Sequence, residues 1–254
     1  MRPWKLLEVN YAYVKEHPYE VAVLPIGATE PHNLHLPYGT DAVCAERIGE
    51  LICEKAYSLG ANVCLLPCLP YGVDSNLMKF PMTMSLNPST VDIIIRDIIV
   101  SLEAHGIKKL VILNGHGGNT FKQALREFYG KTQVFISLVD WWRVLLDRYG
   151  EIFENPDDHA GEMETSIGLH LFPELIELDQ ADDGAVRQSR FEAIRQGWAQ
   201  ITRPWHIVTK NAGVGDPRKA SAEKGEKALQ IVIDRISQYL KELSDAEMDD
   251  VFPY

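Results

Sequence analysis

The sequence predicts an α/β fold, a three-layer α/β/α sandwich built on a mainly parallel central sheet. Short β-branched runs alternate with amphipathic segments along the chain. Those runs are apolar throughout and lack an in–out alternation, as befits strands covered on both faces. Size and composition agree. With 254 residues, 46% of them apolar and 24% charged, the chain has the make-up of an ordinary globular protein and enough core for one large domain over 1–254.

Taken in order, Val21-Ala-Val-Leu-Pro-Ile26 reads as a buried strand, and 41–59 as the helix after it, stopped by Gly60. Residues 62–66 form the next strand. Asn87-Pro88-Ser89 opens a helix that closes at Gly106, followed by a strand over 109–113, a helix over 119–129 stopped by Gly130, and a strand over 133–138. The second half reads as more helical. It has predicted helices over 160–171, 183–196 and 220–243, with a glycine-bearing loop over 211–217 between the last two. Ligands of open parallel sheets bind beyond the carboxyl ends of the strands, so the segments that follow strands are the places for chemistry.

Several function classes drop out on charge and hydropathy. Lys plus Arg total 25 against 36 Asp plus Glu, a formal net charge of −11, and no basic run exists, so nucleic acid is not an expected partner. The most apolar stretch, 91–102, is interrupted by Asp92, Arg96 and Asp97, far from the roughly 18 uninterrupted apolar residues of a membrane span. The N-terminus lacks a signal-peptide core, so a cytoplasmic location without membrane attachment is expected. Cys44, Cys53, Cys64 and Cys68 match no zinc or CxxC spacing and read as reduced thiols.

Three segments could carry chemistry. After the first strand comes Gly27-Ala-Thr-Glu30-Pro-His32-Asn-Leu-His35-Leu-Pro-Tyr-Gly-Thr-Asp41. Glu30 and His32 are two apart and leave the same face of extended backbone, while Asp41 stands at a helix start. Alone, Asp41 or Thr40 reads as a helix cap and a loop histidine as solvated. Together the three suit a metal. After the third strand comes Asn114-Gly-His116-Gly117-Gly118-Asn119. Its default reading is a tight turn. Thr120 stands where a dinucleotide fingerprint needs glycine, and no P-loop lysine is present. The turn nevertheless presents His116 as a further ligand, with backbone at Gly117 and Gly118 that a substrate can approach. The third segment is Asp157-Asp158-His159-Ala-Gly-Glu162-Met-Glu164. The helix dipole explains Asp157 and Asp158 but not a histidine, and a neutral His159 suits proton transfer. Of Trp141 and Trp142, one is expected to wall the site, taken as Trp141, and the other to pack in the core.

Together these segments resemble the creatininase (creatinine amidohydrolase) family. The motifs are Glu30 to Asp41, Asn114 to Asn119 and His159 to Ser166. A fourth piece, Gly213-Val-Gly-Asp-Pro217 with Ala220, Glu223, Lys224 and Gly225, also fits, all in order over about residues 20–240. The resemblance implies a metal-dependent amidohydrolase with two divalent metal ions per subunit, Zn first and Mn or Fe as alternatives. The substrate would be a small molecule with a non-peptide or cyclic amide, or a formamide, and the enzyme a homo-oligomer, a hexamer among the options. It implies Glu30 and His116 on one metal, His32 on the other and Asp41 bridging. The cations would activate a water and polarise the carbonyl, and His159 would protonate the leaving nitrogen.

The departures point to a Gly-Gly-Asn subgroup and away from creatininase proper. Gly118 stands where creatininase has a glutamate, Pro31-His32-Asn33-Leu34 replaces the usual Gln-His-Gly-Pro, and Leu77 replaces a histidine. Creatinine itself is therefore not the expected substrate. The missing carboxylate must come from the segment opening at His159. Glu162 and Glu164 point about 200° apart on a helix. Glu162, an i,i+3 neighbour of His159, is the expected ligand, with Glu164 a structural partner. Two rival classes stay open: a small-molecule-binding protein on a retired scaffold, and a metal-dependent phosphoester hydrolase, which the absence of Arg or Lys beside the clusters disfavours.

Overall fold

In a computed structural model describing residues 1–254, four strands form one sheet: β1 (Val21–Ile26), β2 (Val63–Leu65), β3 (Lys109–Asn114) and β4 (Phe135–Asp140). Their order is β2-β1-β3-β4 and every pairing is parallel, with Val21 opposite both Val63 and Lys109, and Lys109 opposite Phe135. Pro25 is tolerated in the central strand because its own carbonyl accepts from Leu69 N at 3.0 Å, beyond the end of β2. The missing N–H lies on that same side, where the ladder has stopped.

The helices are α1 (Tyr11–Glu16), α2 (Thr40–Ser58), α3 (Pro88–Ala104), α4 (Lys122–Phe128), α5 (Tyr149–Ile152), α6 (Glu162–Leu171), α7 (Glu192–Arg195), α8 (Trp205–Val208) and α9 (Ala222–Asp245). Alternate strand residues feed two cores. Val21, Val23, Val111 and Leu113 pack with Ile48 and Ile52 of α2, Ile167 of α6 and Val232 and Ile236 of α9. Ala22, Leu24, Ile26, Leu110 and Ile112 pack with Ile95 and Ile99 of α3 and Ala124 and Phe128 of α4. The sheet is thus the middle of three layers, and each fully buried Ile or Leu contributes about 1.5–3 kcal/mol to holding them together. The predicted helix stops at Gly60, Gly106 and Gly130 all adopt left-handed backbone, as αL caps require.

The helix expected over 183–196 does not form; only the single turn α7 remains of it. Two aspartates divert the backbone, Asp182 Oδ1 accepting from Gly184 N at 2.9 Å and Asp183 Oδ1 from Ala185 N at 3.1 Å. Such Asx turns compete with helix. Gly184 is left-handed, with a Cβ there falling 2.1 Å from the Gly215 carbonyl, so the segment packs flat on the 211–217 loop.

All four cysteines are free thiols and three are buried. No helix is long and apolar enough to cross a membrane. The loops after β1, β2, β3 and β4 leave from the carboxyl edge of the sheet, which is where the site lies.

Candidate metal centre

Two glycines bring the strand ends onto the first turn of α2. A Cβ on Gly27 would fall 2.4 Å from Ala42 backbone, and one on Gly115 would fall 2.8 Å from the Asp41 carbonyl. Only bare backbone permits that approach. Asp41 is thereby wedged between the loops after β1 and β3. Its Oδ1 lies 3.0 Å from His32 Nε2 and its Oδ2 2.9 Å from His116 Nδ1. Glu30 Oε1 lies 3.0 Å from the same His116 nitrogen and 3.7 Å from His159 Nδ1. His32 Nδ1 faces the Glu30 carbonyl at 3.0 Å, and since a carbonyl only accepts, Nδ1 carries a hydrogen and Nε2 is the nitrogen turned inward to Asp41. All five side chains are buried. Asn114, at the end of β3, braces the turn: its Oδ1 accepts from His116 N at 3.1 Å and its Nδ2 donates to Asp140 Oδ1 at 2.9 Å.

The two glutamates of α6 take places opposite to those expected. Glu162 does not face the cluster. Its carboxylate accepts from Glu154 N at 3.1 Å and Asn155 N at 2.7 Å and pairs with Lys224 of α9. Glu164 Oε1 lies 3.5 Å from His32 Nε2, while its Oε2 accepts from Ala160 N at 2.6 Å. The i,i+3 reasoning failed because α6 starts only at Glu162: Gly161 is extended and Ala160 left-handed, so His159 is on no helical face at all. The sequence reading also missed Asp74, in the loop after β2, fully buried with Oδ1 2.9 Å from His116 Nε2. No spacing signals it.

Three sets of potential ligand atoms result, Glu30–His32–His159, Glu30–Asp74–His116 and His32–Asp41–Glu164, each within 4.8 Å. The donor set fits divalent cations. Both oxygens of Glu30, both of Asp74 and Oδ2 of Asp41 are buried without an aligned hydrogen-bond donor, a costly arrangement unless positive charge is added. In the cation-free protein, protons supply it. Burial disfavours charged rings, yet the carboxylates around them hold His32 and His116 well above the usual histidine range. Burial likewise opposes ionisation of Asp41 and Glu30, but the adjacent imidazoles keep both below the usual carboxylate range. Burial pushes Asp74 up to about 6. Imidazole with carboxylate is a ligand chemistry for Zn, Mn or Fe.

A cavity of about 160 Å³ opens over the cluster, with Asp41, His116, Gly117, Trp141, His159 and Glu164 among its walls. Both Trp141 and Trp142 line it, their rings edge to face at 6.1 Å. Gly118 does not; it packs under His116. His159 Nε2 faces the Pro31 carbonyl at 3.0 Å, which assigns the proton to that nitrogen and leaves Nδ1 free. The His159 ring lies edge-on to Trp205 at 4.9 Å, and its backbone pairs with Val214 of the glycine-bearing loop. That loop therefore serves the site by fixing His159.

Comparison with known proteins places these residues in a wider group. Residues 8–240 match the Creatininase family model, described as creatinine amidohydrolase. A creatinine amidohydrolase of Pseudomonas putida is 31% identical over 243 residues, 87% of this chain and 89% of that protein. A mycofactocin precursor peptide peptidase of Mycobacterium ulcerans is 27% identical over 218 residues, covering 84% and 81%. Among solved structures, a Bacteroides fragilis protein with a provisional creatinine amidohydrolase name superimposes with TM-score 0.92 at 35% identity, over 98% of this chain and all of that one. A mutant creatininase of Zn-Zn type gives TM-score 0.74 at 25% identity, covering 95% and 98%.

Proposed function

The chain belongs to the creatininase family, and on that premise we propose that it is a metal-dependent hydrolase opening a C–N bond of a small amide, cyclic amide or formamide. The observation that carries the reading is Asp41, which offers one oxygen to each of two buried imidazoles, while both Glu30 oxygens and Asp41 Oδ2 lack an aligned donor. In this reading Glu30, His116 and Asp41 would hold one divalent cation, and His32, Asp41 and Glu164 would hold a second. Glu164 takes the role that Gly118 cannot fill. A Zn-Zn form and a Mn form among the similar structures support zinc and manganese as the candidates to test first.

Bound cations would supply a nucleophilic water at neutral pH and polarise the carbonyl. The chain's own residues do the rest. His159 keeps its Nε2 proton on the Pro31 carbonyl and offers Nδ1, which takes the proton the attacking water gives up and passes it to the departing nitrogen. Trp141 and Trp142 wall the cavity with flat apolar surface against which a small substrate would pack.

The test is metal analysis of the purified chain followed by a hydrolysis screen over cyclic amides, formamides, short peptides and phosphoesters. About two divalent ions per chain and turnover confined to amides are expected, with His159→Ala keeping the ions and losing on the order of a hundredfold or more in kcat. A metal-free chain, or turnover of phosphoesters alone, overturns the reading.

A further inference from the structure

The outer nitrogen of His116 has a seat of its own. While Nδ1 faces Asp41 and Glu30, Nε2 lies 2.9 Å from Asp74 Oδ1 and 3.3 Å from the Val73 carbonyl. A carbonyl and a carboxylate both accept, so Nε2 keeps a hydrogen in this seat, and Nδ1 is the nitrogen that can give its own up to a cation. No aligned donor reaches either Asp74 oxygen, so the buried carboxylate acts on Nε2 through its charge at 2.9 Å, while the Val73 carbonyl takes the aligned hydrogen bond. The seat is rigid on both sides. Val73 N donates to Asn119 Oδ1 at 3.1 Å, tying the loop after β2 to the turn that carries His116, and Asp74 N donates to Ser85 Oγ at 2.9 Å. Gly118 leaves the room it needs: a Cβ there would fall 2.3 Å from His116 Nε2 and 2.5 Å from the Val73 carbonyl. No side chain fits at residue 118 while the ring stays in this seat.

We propose that Asp74, with the Val73 carbonyl, is the positioning residue that keeps the hydrogen of the His116 ring on Nε2 and turns the Nδ1 lone pair to a divalent cation, and that Gly118 is glycine because this seat occupies its side-chain space. The proposal rests on the metal-centre reading above. Carboxylates behind ligating imidazoles fix the ring tautomer and raise its basicity, and their removal typically weakens metal binding about 10–100-fold.

The experiment uses full-length protein labelled with ¹⁵N, metal-free and then titrated with Zn²⁺ against a competing chelator. In the metal-free protein the His116 Nε2–H gives a slowly exchanging one-bond correlation, and Zn²⁺ moves the Nδ1 resonance while Nε2 keeps its hydrogen. Asp74→Ala speeds exchange of that hydrogen at least tenfold and weakens Zn²⁺ binding by about 10–100-fold. Asp74→Asn, which retains an acceptor without the charge, falls between. Gly118→Ala, which displaces the ring, reproduces the Asp74→Ala loss, and the double variant loses no more than either alone, as residues of one seat should. Asp74→Ala with ring signals and affinity within twofold of the parent overturns the proposal. So does loss of one Zn²⁺ per chain with the ring signals unmoved, which makes Asp74 a ligand. If the parent protein takes up no Zn²⁺, the metal-centre reading falls, and the metal-free Nε2–H signal still decides whether Asp74 holds the ring.

Discussion

Glu162 and Glu164 stand two residues apart in the first turn of α6 and face opposite ways, one to α9 and one to the histidines. Their glutamine variants should therefore separate. Glu164→Gln is expected to reduce bound metal from about two ions per chain towards one, because a neutral amide is a poor partner for a cation already sharing Asp41. Glu162→Gln should leave the count unchanged and cost stability, on the order of 3 kcal/mol, since it removes the charge that Lys224 and two backbone amides address in the interior. Metal analysis and denaturant titration of both variants check this, and the reverse pattern would return the ligand role to Glu162. The other residues of the buried cluster were legible in the sequence because Glu30, His32 and His116 follow strands, Asp41 stands in the first turn of a helix and His159 belongs to the short motif leading into α6. Glu164 was misread because a helical wheel was laid over Ala160 and Gly161, whose backbone is not helical. Asp74 had no local signal, since its partner His116 is met only through the fold.

Between elements, His35 ties the loop after β1 to α6. Its Nε2 lies 2.8 Å from Thr165 Oγ1, and its carbonyl accepts from Glu177 N at 3.0 Å. Burial pushes the ring down from 6.5 to about 4. The unfolded chain thus takes up a proton near pH 6.5 that the folded chain refuses until near pH 4, so stability is lost as pH falls through that window. By pH 5 the loss from this ring is about 2 kcal/mol. His35→Gln can still bond Thr165 but cannot charge, and should flatten the acid limb by that amount. Denaturant titrations at pH 7.5 and pH 5 on chelator-treated protein read it without the pH dependence of metal binding, and an acid limb as steep as the parent's rules out His35 as its source. The strands and the helices with glycine stops were legible at this scale because apolar period and caps are local. The stretch over 183–196 was not, because its Asx turns are fixed by packing on the 211–217 loop.

At the scale of the whole molecule, the layered fold follows from apolar strand runs, whereas the site works against folding. Glu30, Asp41 and Asp74 are all buried at one sheet edge, in a chain of net charge −11, with several of their oxygens unpartnered. Buried like charges disfavour the compact state unless protons or cations neutralise them. Protons on His32 and His116 do so only in part, because two charged rings face Glu30, Asp41, Asp74 and Glu164. Cations that bind the folded chain alone should then stabilise it by linkage, about 4 kcal/mol for each site at a thousandfold excess over its Kd. For a chain of this size about 1 kcal/mol moves the melting temperature by roughly 2–4 °C. Stripping the protein with a chelator should accordingly lower Tm by on the order of 10 °C or more, and restoring Zn²⁺ should reverse the shift. Glu164→Gln, short of one ligand, should respond by about half as much. Calorimetry with and without chelator measures this directly, and a melting temperature that ignores the chelator to within about 2 °C would mean that the edge carboxylates are balanced by protons alone.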